Sequence, residues 1–352
     1  AMGLKSMLSL PFAKYVVWKN NRWKNNAVKF QKQILNNLIQ NAKKTKFGID
    51  HNFSKISNYS DWKNNVPIRD YEDLKHYIDA VISGEKSVLW PGFPIYFCKT
   101  SGTTSGIKYI PISKQSMPNH INAARDAILT YILESKNTSI VNGKMIFLQG
   151  SPKLNKTGDI LTGRLSGIIA HHIPQYLTKN RLPSKKVNYL ENWEKKVDGI
   201  VEETLNEKMS LISGIPPWVQ MYFEKIEKKT GKLIKDVFPK FDLFIYGGVN
   251  FSPYRKKFEN LIGKKIDSIE VYPASEGFIA YQDSQKENGM LLCVNHGIFY
   301  EFIPSDVFFT KNPPRISLES VKVGINYVII LNTNAGLWGY NIGDTIKFVS
   351  TK

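Results

Sequence analysis

The segment "CKTSGTTSGIKYIPIS", residues 98–113, places small hydroxyl side chains between two apolar runs. The glycines and small hydroxyl residues of its first nine positions are Thr100, Ser101, Gly102, Thr103, Thr104, Ser105 and Gly106. Glycines permit backbone shapes that turn successive N–H groups inward, and the hydroxyls add donors, so such a loop can bind an anion. A flexible linker is the alternative. The apolar flanks "IYF" and "YIPI" favour a strand–loop–strand structure instead.

This loop differs from the common nucleotide-binding loop. The Walker A motif has the spacing G-x-x-x-x-G-K-[ST]. Here Gly106 comes one residue early, Lys108 is followed by tyrosine, and no helix is predicted to begin at Gly106. The segment on its own is therefore also typical of a plain surface turn, and its function depends on the rest of the chain.

Two later segments contain carboxylates in similar settings. In "EVYPASEGFIAY", residues 270–281, Glu276 follows a predicted strand and comes four residues after Tyr272. In "NAGLWGYNIGDTIKF", residues 334–348, Gly343 and Asp344 form a predicted turn that enters another strand. Each of these segments, taken alone, is typical of an ordinary turn.

The three segments together, in this order, closely resemble the adenylate-forming enzymes, which include acyl-CoA synthetases, luciferase and peptide-synthetase adenylation domains. More narrowly, they resemble the Gretchen Hagen family of acyl-acid amido synthetases, also called the auxin-responsive promoter family, and especially its bacterial branch. The matching segments are "TSGTTSGIKYIP", "YPASEG" and "YNIGD", with further similarity in "IRDYEDLKHYIDAVISGE" and "YGGVNFSPYRKKFENL". The resemblance spans residues 66–347.

The resemblance implies a ligase that uses ATP and Mg²⁺. A small carboxylic acid would attack the α-phosphate, giving an acyl-adenylate and pyrophosphate. An amino acid or another amine would then take the acyl group. The enzyme must hold concentrated negative charge, which requires backbone donors, a lysine and a metal ion. An acyl-CoA ligase of the same superfamily is one alternative, and a basic nucleic-acid-binding protein is another.

The resemblance also implies roles for individual residues. The loop 101–106 would cradle the β- and γ-phosphates, with Ser101, Thr103 and Thr104 as donors and Lys108 adding charge. Glu276 would hold Mg²⁺, and Ser275 would reach the α-phosphate. The nucleotide-binding set is completed by Tyr272 stacked on adenine, Gly247, Gly248 and Val249 at the adenine edge, Asp344 on both ribose hydroxyls, and the motif residues Gly277, Tyr340 and Gly343.

The acid pocket is specified less closely. We expect it between a helix at 118–134 and the segment "LQGSPKLNKTGDILTGRLSG". Arg125 or Arg164 could steer the carboxylate, and a surface ion pair is the alternative for each. His171 and His172 are adjacent, so on a strand they would face opposite sides, which favours structural roles.

The elements that must position these residues predict an α/β fold. The apolar spacing predicts long helices from about residue 14 to 41, a helix after Asp70, and helices at 118–134, 191–206, 216–228 and 252–262. Strands are predicted at 108–112, 144–150, 241–248, 267–274, 289–295, 298–304 and 326–333. We expect mixed sheets flanked by helices, with the late strands forming an antiparallel or barrel-like lobe.

The predicted organisation is one adenylating domain over 1–352, with a helical lead-in at 1–90 and a nucleotide- and acid-binding core at 91–352. In relatives a smaller C-terminal domain follows the Gly-Asp strand and supplies a lysine. None follows in this sequence, so we expect the chain to bind ligands but to be incomplete for full turnover.

Composition constrains the partners. The net charge is +18, yet only seven of the 48 basic residues are arginine, the usual reader of base edges, so no nucleic-acid partner is predicted. The apolar run at 7–18 is shorter than the roughly 20 residues of a membrane span. It predicts an amphipathic helix docked on the body, without a membrane partner. Two cysteines without metal-type spacing favour a reducing cytoplasm.

Overall fold

The computed structural model describes residues 3–102 and 106–352. The helices of these residues are α1 Leu4–Lys24, α2 Ala27–Ala42, α3 Lys46–Asp50, α4 Tyr59–Asn65, α5 Tyr71–Ile82, α6 Met117–Ser135, α7 Leu165–Ala170, α8 Gln175–Thr178, α9 Lys185–Asn188, α10 Trp193–Thr204, α11 Pro216–Thr230, α12 Ile234–Val237 and α13 Arg255–Ile262. The predicted cap is confirmed, since the Asp70 carboxylate accepts from the Asp73 N–H at 2.9 Å in a capping box. Three of the four predicted interior helices appear as α6, α10 and α11. The fourth, 252–262, begins as a 3₁₀ turn before α13.

The strands of the described residues form three sheets. They are β1 Tyr96–Gly102, β2 Gly106–Ile112, β3 Lys144–Leu148, β4 Asn155–Thr157, β5 Ile160–Gly163, β6 Arg181–Leu182, β7 Met209–Gly214, β8 Leu243–Gly247, β9 Asp267–Ala274, β10 Gly277–Tyr281, β11 Leu291–Leu292, β12 Ile298–Pro304, β13 Ile316–Ser317, β14 Asn326–Thr333 and β15 Tyr340–Lys347. The sheet orders are β2-β1-β5-β4, β11-β10-β9-β8-β7-β3-β6 and β13-β12-β14-β15. The predicted α/β class with helix-flanked sheets is confirmed. Of the two arrangements expected for the late strands, the structure has the antiparallel sheet.

Six of the seven predicted strands appear with bounds that differ by at most a few residues, as β2, β3, β8, β9, β12 and β14. The strands at 298–304 and 326–333 match β12 and β14, whereas 289–295 is reduced to β11. The central strand β7 was missed because serines interrupt its short apolar run. Its first four residues are nevertheless buried, since β3 and β8 pair with it on both sides.

The seven-stranded sheet determines where a ligand can lie. Strands β6, β3, β7, β8 and β9 are parallel neighbours, so their carboxyl ends meet at one edge. We call this the carboxyl edge, and define it by the residues that follow β3, β7, β8 and β9, namely Gln149, Ile215, Gly248 and Ser275. In open α/β sheets, ligands bind in the crevice outside the carboxyl ends of the strands.

The helical lead-in packs against the third sheet through one aromatic cluster. The ring of Trp338 lies 5.2–6.1 Å, centroid to centroid, from the rings of Phe53, Phe47, Trp62 and Trp90. The backbone of Arg69 adds two hydrogen bonds of 2.8 Å, one to the Gly339 carbonyl and one from the Asn341 N–H. These contacts fix the start of β15, which carries the third predicted motif.

Candidate active site

The predicted strand–loop–strand structure is confirmed by the β1–β2 hairpin. The strands are antiparallel, with Gly102 opposite Gly106 and Thr100 opposite Lys108. Thr103, Thr104 and Ser105 lie outside the described residues. The backbone N–H of Tyr109 donates to the Tyr71 hydroxyl at 3.0 Å, and the Lys108 ammonium lies 5.9 Å from the centre of the Tyr71 ring. The helical lead-in therefore positions the lysine that follows the loop.

The second motif is the turn between β9 and β10. Ala274 pairs with Gly277, so Ser275 and Glu276 are the two residues of a tight hairpin at the carboxyl edge. The Cys98 thiol of β1 donates to the Ser275 hydroxyl at 3.1 Å. This contact joins the base of the first motif to the second. The cysteine is buried, and burial raises the pKa of its thiol to about 11, so it acts here as a neutral donor.

Among the described residues, few groups stabilise the negative charge of the Glu276 carboxylate. Burial raises its pKa above the ordinary value, and the neighbouring Asp344 carboxylate adds to that rise. Its own backbone N–H, the charge of Lys108 and the Tyr340 hydroxyl oppose the rise. The Tyr340 hydroxyl donates to Oε1 across a long 3.5 Å. A desolvated carboxylate with such weak partners gains from a cation placed beside it.

The third motif corrects a sequence-based prediction. Gly343 and Asp344 lie inside β15, not in a turn before a strand. The pairing of β14 with β15 shifts register between Val328 and Ile330, which produces a bulge. Gly343 has φ +90°, a conformation that L side chains rarely adopt. The bulge leaves Asp344 exposed, and its carboxylate accepts a hydrogen bond from the Tyr272 hydroxyl. The pKa of Tyr272 is raised, first by burial and then by this bond.

The predicted adenine edge lies beside Tyr272. Gly247 ends β8 opposite Val271 of β9. A Cβ added to Gly247 would come within 2.4 Å of the Val271 carbonyl oxygen, so only glycine fits this approach. Gly248 and the exposed Val249 continue the chain away from the sheet. The second motif, the third motif and the predicted adenine-binding residues therefore lie together where β8 and β9 end at the carboxyl edge.

The two arginines proposed for the acid lie in different places. Arg125 donates to the Asp126 carboxylate at 3.0 and 3.1 Å, and its guanidinium lies 5.5 Å from the centre of the Phe12 ring of α1. Arg164 lies along the carboxyl edge, because its Cδ would be 3.1 Å from a Cβ at Gly150, just beyond β3. The structure brings Arg164 to the edge and engages Arg125 with α1.

Lys196 is a cation that the sequence analysis missed. It is 1% exposed, and its ammonium donates at 2.7 Å to the carbonyls of Gln149 and Asn188. Burial, with a contribution from the charge of Arg164, lowers its pKa to about 8. In the sequence Lys196 lies in the charged run "EKKVD", residues 194–198, a composition typical of a solvated surface. The signal was the spacing to Ile200 one turn later, which places Lys196 on the apolar face of α10.

The two histidines make separate structural contacts, but not on a strand. His171 caps α7 and its Nε2 lies 2.8 Å from the Pro152 carbonyl, while Nε2 of His172 lies 2.8 Å from the Tyr96 hydroxyl. Among the described residues, no group of three or more histidine, cysteine, aspartate or glutamate side chains could hold a metal by itself. Glu276 fits Mg²⁺ in another way, since that ion is usually held by one or two carboxylates together with substrate phosphates.

The arrangement of sheets is shared with solved structures of an acyl acid amido synthetase and a CoA ligase. The solved structure of the GH3.15 acyl acid amido synthetase superposes with a TM-score of 0.78 at 14% identity, over 95% of this chain and 68% of that one. A 2-hydroxyisobutyryl-CoA ligase in complex with 2-HIB-AMP and CoA gives 0.58 at 14% identity, over 89% and 63%. At such identities the likeness shows the fold alone.

The chain belongs to the GH3 family, the Gretchen Hagen family of the sequence analysis. The GH3 family N-terminal domain matches residues 19–181 and 155–266, and the GH3 family central domain matches 291–352. The jasmonoyl–L-amino acid synthetase JAR4 of Nicotiana attenuata is 23% identical over 91% of this chain. The indole-3-acetic acid-amido synthetase GH3.15 of Arabidopsis thaliana is 22% identical over 81%. This chain spans 66% of the length of the first relative and 60% of the second.

Proposed function

We propose that this chain binds ATP and a small carboxylic acid at the carboxyl edge, forms an acyl-adenylate, and serves the transfer of the acyl group to an amino acid or another amine. One observation carries the proposal. Three segments far apart in sequence meet through the Cys98–Ser275, Tyr272–Asp344 and Tyr340–Glu276 contacts.

The residues of the chain would act by positioning and electrostatics. The β1–β2 hairpin would present N–H groups and the Lys108 charge to the terminal phosphates, and Ser275 would reach the α-phosphate. The exposed Asp344 would accept the ribose hydroxyls, with Tyr272 holding its orientation. Glu276 would hold Mg²⁺, which neutralises phosphate charge when it is bound. Each of these roles stays a proposal.

For the acid we propose the Arg164–Lys196 end of the carboxyl edge. Two cations lie close enough for the charge of Arg164 to depress the pKa of Lys196, and no carboxylate bonds to either ammonium or guanidinium among the described contacts. An incoming carboxylate would relieve that repulsion. The family and both amido synthetase relatives favour an amine acceptor over the CoA alternative, which is supported at the level of the fold. They do not favour the nucleic-acid alternative.

The finer predictions stay proposals as well. They are the bacterial branch of the family, the cytoplasmic location, and the division into a lead-in at 1–90 and a core at 91–352, with the lysine that completes turnover coming from a further domain. In the described residues, every helix is too short or too polar to cross a membrane.

Calorimetric titration of the chain tests the proposal. We expect ATP to bind in the presence of Mg²⁺ and to bind much more weakly in EDTA. Asp344→Asn should weaken binding, while Asp306→Asn, a matched change in a 3₁₀ turn of the third sheet, should not. Thermal shift with a panel of carboxylic acids would then identify the acid class, since a ligand that binds only the native state raises its stability. Absence of ATP binding by the folded chain would refute the proposal.

The acceptor requires a separate measurement. We expect product analysis with an amino-acid mixture and CoA in competition to yield amides. Thioesters alone would instead establish the CoA ligase alternative.

A further inference from the structure

Helix α1 buries mostly small residues and exposes its large apolar ones, which is the reverse of an ordinary surface helix. Its buried residues are Ser6, Ser9, Ala13, Val16 and Trp23, most of them small. Its large apolar residues are exposed, namely Leu4 (71%), Met7 (57%), Leu8 (59%), Phe12 (43%), Tyr15 (55%) and Trp18 (61%). The predicted docking of this helix on the body is confirmed, since α1 packs against α6 and the following 3₁₀ turn. The side that packs, however, is the one that carries the small residues.

The exposed apolar residues form one continuous face. At about 100° per residue, Leu4, Leu8, Tyr15 and Trp18 fall within an arc of roughly 80°. Lys14 lies at one border of this face and Lys19 at the other, and both are exposed. Arg22 continues the line of the face beyond Trp18, with its guanidinium 5.8 Å from the centre of the Trp18 ring. We call this surface the α1 face.

The charged residues of α1 itself all have one sign. Helix α1 contains no aspartate or glutamate. Lys24, one turn beyond the face, is engaged with Asp283 at 2.7 Å, but Lys14, Lys19 and Arg22 stand in exposed positions beside the apolar residues. Exposed leucine and aromatic side chains beside lysine and arginine match the two contacts that a membrane interface offers, an apolar phase and anionic headgroups. Aromatic rings with one polar end favour the same depth.

We propose that the α1 face binds the surface of a membrane that contains anionic phospholipids. The apolar side chains would enter the boundary between headgroups and acyl chains, and Lys14, Lys19 and Arg22 would lie at the phosphates. This surface contact needs no spanning segment. It goes beyond the proposed ligase function and departs from the sequence-based prediction of no membrane partner, which rested on the length of the apolar run.

A second copy of the chain fits the α1 face less well. Two such helices packed face to face would bring their lysines and arginines together with no acidic residue of α1 to pair with them. The net charge of +18 adds repulsion over the whole surface. An anionic lipid surface offers both the apolar phase and the opposite charge.

Vesicle flotation of the whole chain tests the proposal. We expect binding to vesicles of phosphatidylcholine with 30% phosphatidylserine, and little binding to phosphatidylcholine alone. The double variant Leu8→Ser/Trp18→Ser should abolish flotation, and Phe309→Ser, a matched change of a 95% exposed residue elsewhere, should leave it unchanged. Brominated lipids should quench tryptophan fluorescence in the native chain, and Trp18→Phe should remove most of the quenching.

The charges have their own control. Reversing two cations that each contribute about 1 kcal/mol near an anionic surface predicts a loss of at least about tenfold in vesicle affinity for Lys14→Glu/Lys19→Glu. Lys240→Glu/Lys256→Glu, with the same change in net charge at exposed positions of other elements, should have a much smaller effect.

Three results would overturn the proposal. The first is flotation that the α1 variants do not reduce, and the second is equal binding to neutral and anionic vesicles. The third is no vesicle binding together with a dimer that Leu8→Ser/Trp18→Ser dissociates, which would assign the α1 face to a second copy. All variants lie outside the candidate active site, and an unchanged circular dichroism spectrum and thermal midpoint verify their folding.

Discussion

Two glutamates of this protein, the fully buried Glu301 and the half-buried Glu276, have opposite surroundings. Glu301, in β12, is fully buried and accepts hydrogen bonds from Arg315 at 2.6 and 3.0 Å, Tyr59 at 2.8 Å, Asn332 at 2.9 Å and the Trp62 indole at 3.4 Å. Among the residues that the structure describes, Glu276 has one side-chain donor, Tyr340 at 3.5 Å, and a second carboxylate, Asp344, raises its pKa further.

The difference distinguishes a structural carboxylate, Glu301, from a candidate ligand-binding carboxylate, Glu276. The hydrogen bonds of Glu301 connect the lead-in helix α4 to the third sheet. Both oxygens of its carboxylate have donors within the chain. Among the described residues no basic side chain forms an ion pair with Glu276, which lies at a strand end, where open α/β sheets bind ligands. A carboxylate that the fold desolvates without pairing is a candidate for an external cation. Four predictions test this contrast, in order of decreasing effect.

Glu301→Gln should destabilise the chain strongly. The substitution keeps the shape but leaves Arg315 with its charge uncompensated, and breaking a buried ion pair by removing one partner costs roughly 3–5 kcal/mol. Urea unfolding followed by circular dichroism would measure the loss. Glu276→Gln is the matched control and should change the free energy of unfolding little. Similar losses in both variants would erase the contrast.

Glu276→Gln should instead reduce ligand binding. Removing an interaction with a charged group costs roughly 1.5–3 kcal/mol, so ATP affinity in Mg²⁺ should fall about 10- to 150-fold. In EDTA the native chain and the variant should bind alike, which isolates the metal-linked part. Equal affinity for ATP at matched Mg²⁺ would remove Glu276 from the metal site while leaving ATP binding itself intact.

The pH dependence of stability should identify the same residue. The pKa of Glu276 is raised in the folded state, so between its ordinary value near 4.5 and the raised value the folded chain binds more protons than the unfolded chain. Its contribution to the free energy of unfolding therefore falls as pH rises through that window, by at most about 1.4 kcal/mol per pH unit. Subtracting the profile of Glu276→Gln should reveal this slope without ligand. A flat difference would contradict the raised pKa.

Tyr340→Phe should have the smallest effect. The hydroxyl donates across 3.5 Å and opposes the rise of the Glu276 pKa, so its removal should extend the window to higher pH and weaken ATP·Mg²⁺ binding by only about threefold, as for a weak hydrogen bond. Titration calorimetry at two pH values would detect it. Tyr59→Phe is the matched change at the other glutamate. It removes a hydrogen bond to Glu301, so it should lower the free energy of unfolding and leave ATP binding unchanged.

The extent of the sequence-based success differs between elements. The strands β12 and β14 and the helices α6, α10 and α11 follow from long apolar patterns, which local propensity and burial both favour. The bulge at Gly343 was predicted as a turn, because a Gly-Asp pair has the same local preference in both settings. Only the pairing of β15 with β14 distinguishes them.

The inversion of α1 shows the same limit. The apolar run predicts an amphipathic helix, but apolar residues lie on both the buried and the exposed side of α1, so the sequence does not determine which side meets the body. The small residues Ser6, Ser9 and Ala13 permit a close approach to α6, and that packing turns the larger residues outward.

The sequence by itself determined the family, the α/β class and the motif positions, because these depend on residue types and on spacing along the chain. The tertiary structure alone decided which charges are compensated. It paired Glu301 with Arg315, engaged Arg125 with Asp126, placed Lys196 beside Arg164, and left Glu276 facing Asp344. Electrostatic compensation depends on distances of a few ångströms between residues that are tens or hundreds of positions apart, and that information arises only when the chain folds.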